Sequence, residues 1–567
     1  MYNMNFKDEI DAAYDELGLI PINGQDVAVD RILTEFFINN KKTVILAADT
    51  GTGKSIIGAI VAKVFKNRFA EEFESDDPET QPAMIVVHSN SLVKQYGQTF
   101  KDFGSEEFHQ IIGAGNYKCE LAASMSLEAD KKFTGEDCVK SKADKAEQEK
   151  YCNNCEFNIA RSYINKTDTL ITNYSYHFIN SMLTNHLKPR KLVVFDEAHT
   201  INDVFCDHSA IELSAELLNG FIDECTKSSP FNLKEQITVL NLIRDKLLRD
   251  ELDQTNYVKP LENLRNACVK IAENFVEKAE SADIEDFVKL KRTAKRYNSI
   301  ATKISDLFMY KYDHSFEYDE KEYKMLIKPI FVGNMSKNIM SDYNLFMSAT
   351  ISPEFMKTTM QLSSDTTGYV ELDPVYDPEN KQIMFCGNKR LNYSSMKDPE
   401  TISYLQEVVR EIVSNAADDG YKGLMLTPSF AVGETLSKAV PRGTKVFLQK
   451  SGIKIDALVK EFKAYTGGPA ILISPSIYEG LDFADDLSRY QIIVKAPFPS
   501  LGDKRMEHIA KNYPEVYKIM TIKKIVQGIG RSVRNKDDWA MTFVLDQTAE
   551  QLFKSPLNVW RKQFKIL

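Results

Sequence analysis

The stretch Thr43-Val-Ile-Leu-Ala47, Ala48-Asp-Thr-Gly-Thr-Gly-Lys-Ser55, Ile56-Ile-Gly-Ala-Ile-Val-Ala-Lys-Val-Phe65 constrains this chain more than any other. A short, β-rich apolar run reads as a buried strand, and the apolar residues after Ser55 recur at helical spacing. Between strand and helix, successive backbone N–H groups and the helix N-terminus converge on one point and cradle an anion. In that setting Lys54 reaches the β- and γ-phosphates of a nucleotide and Ser55 offers a hydroxyl to Mg²⁺. The strict pattern has Gly where this chain has Ala48. A glycine-rich turn that binds nothing is the competing reading, and the order strand, loop, helix argues against it.

A strand–loop–helix unit of this kind belongs to an α/β fold with a parallel sheet covered on both faces. Further strand-like runs lie at Met84–His88, Leu192–Phe195, Leu345–Met347, Gly423–Leu426, Ala470–Ile473, Gln491–Val494 and Met541–Leu545. They form two groups, one ending near residue 200 and resuming near 340, the other within 365–567. Residues 205–335 are rich in Leu, Lys, Glu and Asp at helical spacing, which predicts an all-helical insertion. Residues 111–160 form a second island of charges and scattered cysteines. The expected organisation is two α/β domains, the first interrupted twice. Its parts are 1–110, 161–204 and 336–364, separated by the cysteine island at 111–160 and the helical insertion at 205–335; the second domain is 365–567.

The run Lys191-Leu-Val-Val-Phe-Asp196-Glu197-Ala-His199 supplies a partner for the phosphate loop. An apolar strand that delivers two carboxylates at its end provides Asp196 for Mg²⁺ and Glu197 to orient or deprotonate a water. An acidic surface turn is the alternative; beside a phosphate loop, ATP hydrolysis is the reading. Near the C-terminus, Gln527-Gly-Ile-Gly-Arg531-Ser-Val-Arg534 has helical character, and two arginines three apart share one helical face. A guanidinium fork suits γ-phosphate charge; standing alone, the motif would read as a solvated basic face.

Composition narrows the partners. A formal net charge of −10 and a pI near 5.6 exclude a basic coat over the whole surface, though not a local basic groove. With 43% hydrophobic and 27% charged residues the chain can bury large cores, which excludes disorder and a small disulfide scaffold. No apolar run has the length of a membrane span. The acidic, amphipathic start Met1–Leu19 lacks the features of a signal peptide, so a cytoplasmic setting is expected. There, eight cysteines read as thiols or ligands. Cys119, Cys138, Cys152 and Cys155 have 18, 13 and 2 residues between them, with a single CxxC. Structural zinc usually uses two short knuckles, whereas irregular spacing suits a [4Fe–4S] cluster better; both remain open on the residues alone. Cys206, Cys225, Cys268 and Cys386 are isolated and read as buried thiols.

This ordered set resembles the motifs of superfamily-two helicases, specifically the XPD/DinG family of iron–sulfur DNA helicases. Gln25 in Ile22-Asn-Gly-Gln25 is similar to the glutamine that reads adenine. Ala48–Ser55 resembles motif I, where Ala commonly replaces the first Gly, so Thr50, Gly51, Thr52, Gly53, Lys54 and Ser55 are implied as ATP contacts. Asp196–His199 resembles motif II and Ser348-Ala349-Thr350 motif III. Tyr478-Glu479-Gly480-Leu-Asp482-Phe483 resembles motif V, with Tyr478 where the family often has Trp, and implies Asp482 at the nucleotide. Ala496–Pro499 with Asp503 is similar to the family's PFP segment, and Gln527–Arg534 to motif VI, implying Gln527, Arg531 and Arg534 at the γ-phosphate. The segments flanking Cys119 and Cys155 resemble those around the family's cluster ligands, although Glu156 stands where Pro is frequent.

The resemblance implies two RecA-like motor domains, an iron–sulfur domain, and an Arch domain at 205–335 that encloses with it a hole for one strand. It implies ATP, Mg²⁺ and a [4Fe–4S] cluster on Cys119, Cys138, Cys152 and Cys155, and 5′→3′ movement of a monomer on single-stranded and forked DNA. Strand contacts are expected from Ser89–Gln95 and Thr427–Phe430, which resemble motifs Ia and IV. The basic run Lys289–Tyr297 could grip phosphates and stack a base, or be a solvated helix face. Three other readings use the same motifs: a translocase that removes proteins or RNA–DNA hybrids, a zinc-containing RNA helicase, and a non-catalytic binding module. The chain leaves no room for an added nuclease domain, so a stand-alone repair or recombination helicase is expected.

Overall fold

A computed structural model describes residues 4–22, 24–49, 51–74, 79–125, 132–184, 186–229, 231–478, 481–533 and 537–567, less 103–106 and the side chains of 102, 183 and 184. Two of its sheets have seven strands each. In the first, the spatial order is Thr367–Glu371, Thr43–Ala47, Tyr343–Ser348, Arg190–Asp196, Gln81–Val87, Thr169–Asn173 and Phe108–Gln110. Every residue of Thr43–Ala47, Gln81–Val87 and Thr169–Asn173 is buried, as a parallel strand covered on both faces requires. Register is fixed by pairs such as Val194 with Leu345, Asp196 with Met347 and Ile85 with Val194. The helix Lys54–Arg68 is buried from Ile57 to Phe65, so it lies inside the layer against the sheet.

The second sheet runs Lys445–Leu448, Ala470–Ser474, Lys422–Leu426, Tyr490–Ile493, Ala540–Val544, Lys381–Phe385, Lys565–Ile566, and every neighbouring pair is parallel. Helices cover it, among them Pro399–Asp418, which starts with Asp398 accepting from the Thr401 N–H at 3.0 Å and Pro399 at its first position. All eight strand-like runs of the sequence overlap strands, and the fold class is α/β with two parallel sheets.

The segment 205–335 is helical in bulk. Helices Val258–Ser281 and Ile284–Tyr310 are joined by Ala282 and Asp283, a link short enough to make them an antiparallel hairpin. The expectation that this insertion is all-helical needs correction: Ile211–Ser214, Lys324–Pro329 and His314–Asp319 form an antiparallel sheet. Its strand Lys324–Pro329 alternates half-buried and buried residues, a period-two pattern masked by its lysines.

The chain divides into two compact units. One comprises Met1–Ile45, Ser55–Met347 and Met356–Val370; the other Leu46–Lys54, Ser348–Phe355 and Glu371–Leu567. The phosphate loop and the Ser348–Thr350 segment therefore count with the second. Among the described residues, no helix is long and apolar enough to cross a membrane.

Candidate functional site

The phosphate loop leaves the strand Thr43–Ala47 and opens the helix Lys54–Arg68, as the sequence predicts. Gly51 and Gly53 take φ of +88° and +72°, a left-handed backbone that L side chains adopt only with strain. A Cβ on Gly51 would meet the Tyr376 hydroxyl at 2.4 Å, so glycine is needed here on both counts. Thr52 is buried and donates its hydroxyl to the Asp49 carbonyl at 2.9 Å. The Lys54 ammonium donates to the Ala48 and Asp49 carbonyls, each at 3.3 Å. Asp49 is itself buried, and its carboxylate pairs with the buried Lys381 at 3.4 Å. Ser55 is half-buried in the first turn of the helix. Thr50 lies outside the described residues. Gln25 is buried at the start of the helix Gln25–Leu33, and its Oε1 accepts the Ile22 N–H at 3.3 Å.

Asp196 ends its strand with both carboxylate oxygens engaged. Oδ1 accepts the Glu197 N–H at 3.0 Å, and Oδ2 accepts the Tyr96 hydroxyl at 2.5 Å. The Tyr174 hydroxyl donates to the Asp196 carbonyl at 2.8 Å. Burial, together with the Asp196 charge, raises both phenols well above their ordinary range, so both stay donors. Glu197 sits at φ +52°, a conformation that costs a residue with a Cβ about 1–2 kcal/mol. Its carboxylate reaches His199 Nδ1 at 3.3 Å. Glu197 follows directly on the strand end and is half-exposed.

The arginine end differs from the expected helical face. The helix Pro514–Ile529 stops two residues before Arg531. Gly528 lets that helix approach Tyr478 and Leu426, since a Cβ there would meet their side chains at 3.1 and 3.0 Å. Arg531 lies in the turn beyond, donating from Nε to the Tyr478 carbonyl at 3.1 Å and from Nη1 to the Leu481 carbonyl at 2.7 Å. Gln527, still on the helix, donates to Thr350 Oγ1 at 3.3 Å, which joins the segments that resemble motifs VI and III. Asp482 is exposed in its loop. Arg534, Glu479 and Gly480 lie outside the described residues. Asp503 caps the helix Lys504–Asn512, accepting from the Arg505 and Met506 N–H groups at 2.8 and 3.2 Å.

All eight cysteines are free thiols. Cys119 and Cys138 shift one another, the pairing raising the Cys119 thiol and lowering that of Cys138. The charges of Cys138 and Cys155 reach Cys152, whose thiol is raised chiefly by burial. Four cysteines spread over positions 119 to 155 thus come into mutual electrostatic range, a donor set that suits an iron–sulfur group. Among the described residues, no group of three or more His, Cys, Asp or Glu is set to hold a single metal ion. Cys206, Cys225 and Cys268 are buried and Cys386 partly so.

The cysteine island is not a free-standing core. Cys119, Leu121, Phe133 and Val139 pack with Ala279, Phe287 and Val288 of the helical hairpin. Arg292 grips Asp137 through Nε and Nη2 at 2.6 and 2.7 Å, next to Cys138, and Lys295 pairs with Glu136 at 2.9 Å. Burial pushes Asp137 up, but the Arg292 fork overcomes it and holds the carboxyl below its ordinary value. Arg296 pairs with Glu224, and Tyr297 is buried with its hydroxyl donated to the Phe221 carbonyl at 3.2 Å. The run Lys289–Tyr297 therefore neither stacks a base through Tyr297 nor is a plain solvated face. Arg292 and Lys295 tie the hairpin to the cysteine segment, and Arg296 ties it to the helix Ala215–Ser228.

Within the first unit, a cavity of about 770 Å³ is walled by three segments. His88, Ser89, Asn90, Asn173, Ser175 and Tyr176 come from the C-terminal ends of sheet strands and the helix starts that follow them, Gly113, Ala114, Asn116, Phe157 and Arg161 from the cysteine segment, and Lys295–Asp306 from the hairpin. Burial raises the Asp306 carboxyl in this wall to about 6. Sequence reasoning located Ser89 and Asn90 but missed Tyr96, Tyr174, Lys381 and Asp306. A buried tyrosine whose partner lies 100 residues away leaves no local pattern.

Comparison with known proteins agrees with this geometry. Residues 412–562 match the helicase C-terminal domain family, and residues 19–221 match the family described as type III restriction enzyme, res subunit. An XPD helicase structure superposes with a TM-score of 0.59 at 16% identity, covering 96% of this chain and 99% of the other. Xpd4 of S. tokodaii does so with a TM-score of 0.57 at 14% identity, covering 96% and 100%. The fold is that of the XPD helicases. In sequence, the chain is 23% identical over 389 residues to the ATP-dependent DNA helicase YoaA of Escherichia coli, across 63% of this chain and 59% of that protein. It is 20% identical over 261 residues to the ATP-dependent DNA helicase CHL1 of Debaryomyces hansenii, across 40% of this chain and 30% of that one. The chain is similar to these DNA helicases and spans less than two thirds of the two curated relatives' own length.

Proposed function

We propose that this chain is an ATP-dependent DNA helicase that moves 5′→3′ along single-stranded DNA and opens forked duplex in repair, recombination or replication. The observation that carries the reading is the cavity, whose wall combines the loops of a nucleotide-type sheet with the cysteine segment and the helical hairpin. Asn90, Asn116, Asn173 and Ser175 offer polar contacts to a sugar–phosphate backbone without a pattern for reading bases. Lys54 and Ser55 hold the phosphates and Mg²⁺ of ATP, Asp196 holds the metal, and Glu197 orients the attacking water. Arg531 and Arg534 stabilise the γ-phosphate charge as it develops, with Gln527 beside them. Thr50, Gly51, Thr52 and Gly53 wrap the phosphates, Gln25 reads the base, and Asp482 serves the nucleotide from its loop.

Cys119, Cys138, Cys152 and Cys155 hold a [4Fe–4S] cluster, which when bound cross-links three separated stretches of the segment and stiffens the cavity wall. The protein works as a monomer in the cytoplasm. Strand displacement by anaerobically purified protein tests the reading. Forks with a 5′ single-stranded tail are expected to be unwound in the presence of ATP and Mg²⁺, and forks with only a 3′ tail are not. Equal activity on both, or ATP hydrolysis without unwinding of either, contradicts it; the second outcome leaves a translocase.

A further inference from the structure

Asp196 is tied to the cavity by two independent routes. The helix Asn90–Asp102 begins in the cavity wall, where His88, Ser89 and Asn90 stand, and Tyr96, six residues on, donates to the Asp196 carboxylate at 2.5 Å. At 1.5 Å per residue the hydroxyl's helix position is roughly 9 Å from that wall. The helix Tyr174–Ile179 also begins there, with Asn173, Ser175 and Tyr176 in the wall, and its first residue donates to the Asp196 carbonyl at 2.8 Å. One tyrosine therefore holds the side chain and the other the main chain of the same residue. The two helix starts are joined at the wall by the Asn173 amide donating to Asn90 Oδ1, and Asn90 in turn donates to Asn116 of the cysteine segment at 2.9 Å. Tyr96 and Tyr174 are 5% and 0% exposed, so both lie in the packed interior next to Asp196.

We propose that Tyr96 and Tyr174 are positioning residues that couple occupancy of this cavity by single-stranded DNA to the Asp196 carboxylate, so that strand and magnesium nucleotide bind cooperatively. The inference rests on the motor reading above and adds to it the route by which one site senses the other. Coupling of this kind is a free energy shared by two ligands and is the same whichever binds first. Packing alone does not establish such a route, which is why the coupling itself has to be measured.

The test is equilibrium binding of a fluorescent oligodeoxythymidylate with and without a non-hydrolysable ATP analogue and Mg²⁺. The unaltered chain should show an affinity ratio on the order of tenfold. Tyr96→Phe, which removes one hydroxyl and keeps the ring, should bring that ratio to within about twofold of unity while strand and nucleotide still bind singly. Tyr174→Phe should lower it by a smaller factor, because it frees the main chain and leaves the carboxylate held. Tyr297→Phe, a buried tyrosine in the helical hairpin that donates elsewhere, should leave the ratio unchanged. A folded Tyr96→Phe variant with the unaltered ratio overturns the proposal, and so does an equal loss in Tyr297→Phe. If Tyr96→Phe does not fold, an unaltered ratio in Tyr174→Phe overturns it on its own. Binding of both ligands without any cooperativity in the unaltered chain defeats the coupling but not the motor. Failure to bind either ligand defeats the motor reading, and the coupling with it.

Discussion

The acidic and the basic candidate nucleotide residues are held in different ways. Asp196, in the first unit, has its orientation set by a buried phenol and a backbone N–H, partners that are part of the core. Lys54 and Arg531, in the second, donate to main-chain carbonyls: those of Ala48 and Asp49, and those of Tyr478 and Leu481. A neutral carbonyl is a weaker acceptor for a cation than a phosphate oxygen, so these partners exchange readily. The acid is built into the fold, whereas the cations are stationed on it. Changes to the cations should therefore remove activity and spare stability, and changes around the acid should lower both.

The largest expected effect comes from Lys54→Ala. Phosphate-release assays should show ATP hydrolysis reduced by about 10³-fold or more, with the thermal midpoint almost unchanged. A large loss of stability would break the comparison. Arg531→Ala should lower kcat by about 10²-fold and shift nucleotide affinity far less, the pattern of a contact made mainly in the transition state. Arg292→Ala leaves the buried Asp137 without its fork and should cost about 2 kcal/mol in a denaturant titration, discounted for the half-exposed arginine. Because Asp137 adjoins Cys138, the same variant should also retain less iron.

The remaining effect, on activity the mildest, concerns Asp306. Its folded pKa, raised to about 6 by burial, lies above that of the unfolded chain, so the folded state binds the extra proton. Its penalty is absent at low pH, grows as pH rises from near 4 through 6, and is complete above that. Asp306→Asn should therefore stabilise the protein at pH 7 by about 1–3 kcal/mol, leave it unchanged near pH 4, and tighten oligodeoxythymidylate binding a few-fold at neutral pH.

Those features that depend on short stretches of sequence were legible. The phosphate loop is a strand, a turn and a helix in immediate succession, and buried parallel strands such as Ala470–Ser474 are uninterrupted apolar runs. Strands with polar residues were not: Lys381–Phe385 and Thr367–Glu371 lie in the two parallel sheets without an apolar signature, and the hairpin strands His314–Asp319 and Lys324–Pro329 hide their alternation under charges. The arginine turn was misread as helix because QGIGRSVR keeps helical spacing, while its two glycines let the helix pack closely and then end. The ties of Tyr96 to Asp196 and Arg292 to Asp137 join residues 100 and 155 apart, and only the folded chain brings them together.

ATP hydrolysis in the presence and absence of single-stranded DNA tests the central claim most directly. The account predicts Mg²⁺-dependent hydrolysis that rises about tenfold or more with oligodeoxythymidylate and vanishes in Lys54→Ala. Hydrolysis indifferent to the strand, or none from folded protein purified without oxygen, would contradict it.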